Sequence, residues 1–221
     1  MPKNRWPIAR EGFPFLIPSA ILTLLFVGMG WTVLTILGIL LTLFIAYFFR
    51  NPKRIIPSLR NIILSPADGR VIFVGECEED RFLKEKVLKV SIFMSPFDVH
   101  INRAPASGKI LQTSYHPGKF LVASRDKASL LNEQNALIIE AEDRSRVLLV
   151  QIAGLLARRI VCYARKNDFL QRGEIFGMIR FGSRVDLFLP VHVRPVVSAG
   201  QHVKAGESII GYCHEEKTNT D

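Results

Sequence analysis

RGEIFGMIRFGSRVDLFLP, residues 172–190, has the pattern of two strands joined by a tight turn. Two apolar runs, EIFGMI (174–179) and VDLFLP (185–190), flank Phe181-Gly182-Ser183-Arg184, where a hairpin turn fits. Short runs rich in Val, Ile and Phe and bounded by turn residues read as strands. The same texture extends outward through RVIFVGE (70–76), KVLKVSIFM (86–94), NALIIEA (135–141), RVLLVQIAG (146–154) and RVDLFLPVHV (184–193). The one helix-like stretch after Asn51-Pro52 is Arg125–Asn135, and it is brief. The soluble part is therefore expected to be mainly β, a β-rich α+β domain.

Three segments of that domain look alike: SPADGRVI (65–72), RAPASGKIL (103–111) and RPVVSAGQHVKAGESIIG (194–211). Each sets Pro and Gly around a turn that feeds a strand. These turns resemble those of the barrel-sandwich hybrid of biotinyl and lipoyl carrier domains, a likeness of architecture and not of function. A carrier needs an exposed lysine at a hairpin tip. Lys109 and Lys204 lack the Met or Asp neighbours usual for such a lysine.

The whole chain has 221 residues, 48% hydrophobic and 22% charged, with a net charge of +9. Its mean hydropathy is +0.21. A chain this apolar can bury a core, which excludes disorder as its main state. The average hides a split: no charged residue occurs from Phe13 to Phe49, and charges are dense from Arg50 onward. One spanning helix needs about 20 residues, and this run is too long for one. Gly28-Met29-Gly30 breaks it near the middle, so residues 1–50 read as a membrane-anchoring hydrophobic helical hairpin and 51–221 as the soluble domain. Pro14 and Pro18 make the first arm the shorter one, re-entrant or spanning. Lys3, Arg5 and Arg10 flank one end and Arg50, Lys53 and Arg54 the other, which puts both ends on the cytoplasmic side of the cell membrane. A signal peptide would have a shorter apolar core and a small-residue cleavage site. A buried helix pair of a soluble fold would show a polar face. The positive charge suits an anionic leaflet, and no motif for nucleic acid accompanies it. Cys77, Cys162 and Cys213 are odd in number and widely spaced, as expected of reduced thiols in a cytoplasmic domain.

Gly182-Ser183 alone is an ordinary turn. In a strained turn, however, the Ser183 hydroxyl lies beside the carbonyl carbon of Gly182 and can convert the amide to an ester. Removal of the Ser183 α-hydrogen then severs the chain by β-elimination, and the remaining dehydroalanine hydrolyses to a pyruvoyl group. With the surrounding motifs the resemblance becomes specific. SPADG (65–69), MSPFDVHINRAP (94–105), YHPGKF (115–120), NEQN (132–135), GEIFGMIRFGS (173–183) and GQHVKAGE (200–207) occur in family order over nearly all of the soluble domain. The chain resembles the phosphatidylserine decarboxylase proenzymes, in their short, membrane-associated (type A) form.

That resemblance implies self-cleavage between Gly182 and Ser183 into a β chain, 1–182, and an α chain, 183–221, which stay together as a heterodimer. Further assembly of that heterodimer is left open. It implies a covalent pyruvoyl cofactor made from Ser183, which forms a Schiff base with the amine of phosphatidylserine in the membrane, with loss of CO₂ giving phosphatidylethanolamine. Asp68 and His100 match family positions as the carboxylate and the base. Longer members carry a second His three places after the first; here that position is Arg103, which cannot act as a base. His100 then serves both cleavage and decarboxylation, or His116 takes one of them. Arg184 stands where longer relatives often have Ser or Thr, and with Arg103 and His116 it is a candidate contact for the lipid head. No metal site is expected, since His192, His202 and His214 show no ligand spacing.

Two other readings compete with this one. A membrane-anchored barrel-sandwich adaptor predicts an intact chain and coiled-coil heptads, which are absent from this sequence. A membrane-bound serine hydrolase would keep Ser183 as a free hydroxyl and release no α chain.

Overall fold

The uncharged run folds as two helices. A 3-10 turn at Arg10–Gly12 leads into α1 (Phe13–Gly28), and α2 (Thr32–Phe48) follows the glycine-bearing turn. Pro14 falls in the first turn of α1, where a missing N–H costs nothing, whereas Pro18 lies inside the helix, which nevertheless runs on to Gly28. The helical stretch Arg10–Gly28, 19 residues, is long and apolar enough to cross a membrane; Thr32–Phe48 is a shorter apolar helix. Small polar groups join the two: Ser19 Oγ lies 2.7 Å from Thr42 Oγ1, and Thr23 Oγ1 lies 3.4 Å from the same atom. Backbone bonds from Ala9 N to Phe49 O (2.8 Å) and from Asn51 N to Pro7 O (2.6 Å) close the base of the hairpin.

The structure is a computed structural model that describes residues 6–118, 132–154, 159–180 and 183–213. The chain divides into two compact units, residues 2–53 and 54–221. The second is β-rich. Its strands are β1 (Ile62–Leu64), β2 (Gly69–Glu79), β3 (Glu85–Met94), β4 (Ile101–Arg103), β5 (Gly108–His116), β6 (Gln134–Ala141) and β7 (Arg146–Ile152). They continue as β8 (Ile160–Cys162), β9 (Phe169–Leu170), β10 (Ile175–Ile179), β11 (Ser183–Pro190), β12 (Val193–Pro195), β13 (His202–Val203) and β14 (Ile209–Cys213). Eight of them form one curled antiparallel sheet in the order β13-β2-β3-β11-β7-β6-β5-β9. Two three-stranded sheets, β1-β14-β12 and β4-β10-β8, complete the unit.

The central strands are apolar on both faces, which is why NALIIEA and RVLLVQI read as continuous runs and not as alternating ones. One face contributes Leu137, Ile139, Leu149, Val185 and Leu187 to the main core, shared with Ile63, Phe176 and Ile210 of the smaller sheets. The other face buries Ala136, Ile138, Leu148, Val150 and Ile152 in a second cluster. Gly69 has a φ of +146°, and a Cβ there would strike the Phe93 carbonyl oxygen across the β2–β3 pair, so the glycine of SPADG permits that close approach. The helix expected over Arg125–Asn135 is corrected at its end: Gln134 and Asn135 begin β6, held by pairing to β5 and β7. The rest of that stretch lies mostly outside the described residues.

Candidate active site

Ser183 opens β11, a central strand bonded on both sides, to β3 through Ser183↔Met94 and to β7 from Arg184↔Ile152 onward. It is fully buried, and its Oγ–H donates to Met94 Sδ at 3.4 Å. Alternation along β11 puts Ser183 on the main-core side with Val185, Leu187 and Leu189. Gly182, the other half of the expected cleavage site, lies outside the described residues.

His100 is brought to the same end of the core by pairing of the smaller sheet. It immediately precedes β4, which pairs with β10, and Ile179 N–H donates to the His100 carbonyl at 3.2 Å. Ile179 ends β10 shortly before Ser183. The buried ring has Nδ1 3.0 Å from the Asp98 carbonyl oxygen. A carbonyl only accepts, so Nδ1 carries the proton and, in the neutral ring, Nε2 keeps its lone pair. Asp98 is itself fixed: its Oδ2 accepts from Ser95 N at 2.8 Å and Ser95 Oγ at 2.7 Å, and its Oδ1 lies 3.0 Å from His202 Nε2.

Asp68 sits in the turn before β2, buried, with Arg54 Nη2 2.9 and 2.7 Å from its two oxygens and the Ala205 N–H donating to Oδ1 at 2.7 Å. Arg54 Nη1 also reaches Glu207 Oε2 at 3.3 Å, and Ile55 N–H donates to Glu207 Oε1 at 3.1 Å. SPADG and GQHVKAGE thus meet at one arginine. Burial pushes the Asp68 carboxyl above its ordinary range, against the Ala205 amide and Arg54, which pull it down. Glu207 moves the other way: burial raises it, but the Ile55 amide and Arg54 together hold it below the usual range. The hydrogen bonds of Asp68 go to Arg54 and Ala205, and that of His100 Nδ1 goes to Asp98; these bonds do not join the two residues.

The remaining candidates are spread out. Arg103 Nη1 donates to the Gly173 carbonyl at 3.0 Å, within electrostatic reach of Arg54, Asp68 and Glu207. His116 is exposed at the end of β5, with Nε2 3.2 Å from Ser114 Oγ. Arg184 is buried on the face of β11 opposite Ser183, where Nη2 donates to Asp186 Oδ2 at 3.0 Å and Nε stands 2.9 Å from Asp186 Oδ1 as an ion pair. There it lines a cleft of about 500 Å³ with Phe73, Lys89, Asp186 and Phe188. His214 lies outside the described residues.

Several residues at the site escape a reading of the sequence. Arg54 reads there only as a flanking charge. Met94, Asn102 and Gln151 carry no expected role, and NEQN has no assigned one. In the structure, Asn132 Nδ2 donates to the Ala153 carbonyl at 2.7 Å, and Glu133 Oε1 accepts from Tyr115 Oη at 3.0 Å. Asn135 Nδ2 donates to Gln151 Oε1 at 2.9 Å. The available signal was a polar residue at an inward position of an apolar strand, as with Gln151 in RVLLVQIAG.

Comparison with known proteins gives one answer. The profile of the phosphatidylserine decarboxylase family matches residues 41–211. The phosphatidylserine decarboxylase proenzyme of Syntrophotalea carbinolica is 50% identical, over 96% of this chain and 99% of the relative. That of Geotalea uraniireducens is 47% identical over 96% and 99%, and that of Syntrophus aciditrophicus 49% over 92% and 96%.

Proposed function

Because this chain belongs to the phosphatidylserine decarboxylase family, we propose that it cuts itself between Gly182 and Ser183 and then removes CO₂ from phosphatidylserine to leave phosphatidylethanolamine. The observation that carries the reading is the position of Ser183. It is the buried first residue of a strand bonded along both edges, so a cut just before it leaves the new terminus anchored in the core.

In the cleavage, Ser183 Oγ gives up its proton, forms a bond to the carbonyl carbon of residue 182, and displaces the Ser183 nitrogen, which takes a proton. The product is an ester. Loss of the Ser183 α-proton then expels the residue-182 carboxylate and breaks the chain. Water replaces the nitrogen, which leaves as ammonia, and the new terminus is a pyruvoyl group. His100 is the base of this reading, with Nδ1–H directed at the Asp98 carbonyl and Nε2 as the proton acceptor. Asp68 acts from its ion pair with Arg54, holding the SPADG turn against the turn at Ala205–Glu207.

The residues around Ser183 fit the group: the terminus is buried, strand-anchored and in contact with the Met94 side chain. When present, the pyruvoyl carbonyl supplies an electron sink for the electrons left by departing CO₂. The chain's own task is to bind the head group, exclude water and keep a proton carrier nearby. Arg103, beside the Arg54–Asp68–Glu207 cluster, is the cation this reading keeps for the lipid head. Arg184 and His116 remain secondary candidates, the first bonded to Asp186 and the second exposed.

The helical hairpin gives access to a bilayer substrate. Its two ends close on each other, and Arg10, Arg50 and Lys53 lie there. The positive-inside rule supports a cytoplasmic face for that end and for the domain that follows it. Ser183→Ala is expected to give only the intact chain by denaturing mass spectrometry, with no phosphatidylethanolamine formed. Cleavage or decarboxylation by that variant would overturn the reading. An intact wild-type chain after prolonged native incubation would favour the adaptor.

A further inference from the structure

The main core buries a line of side-chain amides that neither the strands nor the reading above requires. Asn135 on β6, Gln151 on β7 and Asn102 on β4 are 5%, 1% and 0% exposed. Asn135 Nδ2–H donates to Gln151 Oε1 at 2.9 Å, and Gln151 Nε2–H donates to Asn102 Oδ1 at 2.8 Å. Asn102 Nδ2–H in turn points at Met94 Sδ, 3.8 Å away. The same sulfur, buried at the end of β3, accepts the Ser183 hydroxyl at 3.4 Å.

Every donor in this line points the same way, and the line ends on the atom beside the proposed nucleophile. The bonds to their neighbours set the orientations of all three amides. Turning Asn135 or Gln151 over would set oxygen against oxygen, and turning Asn102 over would set donor against donor, in a buried site. The fold also makes room for the line. A Cβ at Gly177 would lie 3.2 Å from Gln151 Nε2 and would strike the Val161 carbonyl oxygen, so the β10 glycine clears the space.

We propose that Asn135, Gln151 and Asn102 form a positioning relay that fixes the Met94 thioether as the resting acceptor of the Ser183 hydroxyl, and so sets the rate of the first step of self-cleavage. The inference rests on the reading of Ser183 as the self-cleaving residue. A thioether is a weak acceptor. It aims the Oγ–H bond without competing with the base, so the hydroxyl can pass its proton on as Oγ closes on the residue-182 carbonyl carbon. The relay itself exchanges no proton; Asn102 holds the sulfur, and the two amides behind it hold Asn102.

The test is a time course of chain cleavage for the full-length protein made by translation in vitro. Wild type, S183A, M94L, N102L and the double variant M94L/N102L are each followed with and without hydroxylamine. M94L and N102L are expected to slow cleavage about tenfold or more, the scale set by a misplaced reacting group. The double variant should be no slower than M94L, because both changes act through one sulfur. Hydroxylamine cleaves an ester already formed, so it speeds a chain delayed after ester formation but not one delayed before it. The relay variants should therefore stay slow in hydroxylamine. Leu for Met conserves volume, so M94L decides the matter even where N102L fails to fold; melting of each variant in the uncleaved S183A background checks this. Wild-type cleavage by M94L, or its full recovery in hydroxylamine, overturns the relay while S183A stays intact. Cleavage of S183A overturns the reading of Ser183 and the relay with it.

Discussion

At Asp68 two influences oppose each other: burial disfavours the carboxylate, while Arg54 and the Ala205 amide favour it. Burial wins, so the folded protein holds the proton more tightly than the unfolded chain does. The stability that this group adds is then fully present below the ordinary Asp pKa of about 3.9 and is lost as pH rises through the higher folded value. Asp68→Asn is accordingly expected to keep or raise the urea midpoint at pH 7, with Arg54 still held by Glu207, while slowing self-cleavage. The wild type should gain ground over the variant only in acid. Unchanged cleavage in Asp68→Asn would remove the residue from the site. His100→Ala is expected to cut the cleavage rate by roughly 10²–10⁴-fold, the usual worth of a positioned acid–base group, as read from a gel time course. Ser183, His100 and Asp68 are legible as candidates because each stands in a motif of distinctive residue types. Arg54 is not, because nothing in Asn51-Pro52-Lys53-Arg54 distinguishes an arginine that flanks a membrane from one that pairs with a buried acid.

Among the elements, the helical hairpin depends on small residues where its arms meet. A Cβ at Gly38 would lie 2.6 Å from Thr23 Oγ1. Gly38→Leu is therefore expected to push α2 off α1 and break the Ser19–Thr42 contact. Cysteines placed at 19 and 42, where the native oxygens are 2.7 Å apart, should oxidise to a disulfide in membranes while Gly38 is kept, and fail to do so once Gly38→Leu is added. Efficient cross-linking in both would mean the arms pack elsewhere. The sequence places this break correctly because an uncharged apolar run is interrupted there by a glycine pair, and α1 ends at Gly28 with α2 starting at Thr32. It fails at Gln134, which falls in the helix-like stretch but pairs with His116 on one side and Ile152 on the other, while Asn135 opens the expected strand NALIIEA. Local propensity cannot register a partner so far away along the chain.

For the molecule as a whole, the central place of β11 matters most. After a cut before Ser183, the α chain would still be stitched to β3 along Ser183–Pro190 and to β7 along Arg184–Phe188, with β14 paired to β1. The two pieces are thus expected to co-elute in native gel filtration and to part only in denaturant; a free α chain under native conditions would contradict this. Removal of residues 1–53, which hold one compact unit, should release the remainder from membranes with cleavage intact. Loss of cleavage would mean that the hairpin contributes to the fold. The apolar hairpin and the β-rich class are legible without coordinates, and Ser183 stands out as a candidate, because hydrophobic period, turn residues and motif spacing are local. Tertiary packing alone brings Arg54 to Asp68, sets Arg184 and Ser183 on opposite sides of one sheet, and runs three buried amides in a line that ends on Met94. Those pairings depend on strand order and register, which join residues far apart in the chain and leave no periodic trace in it.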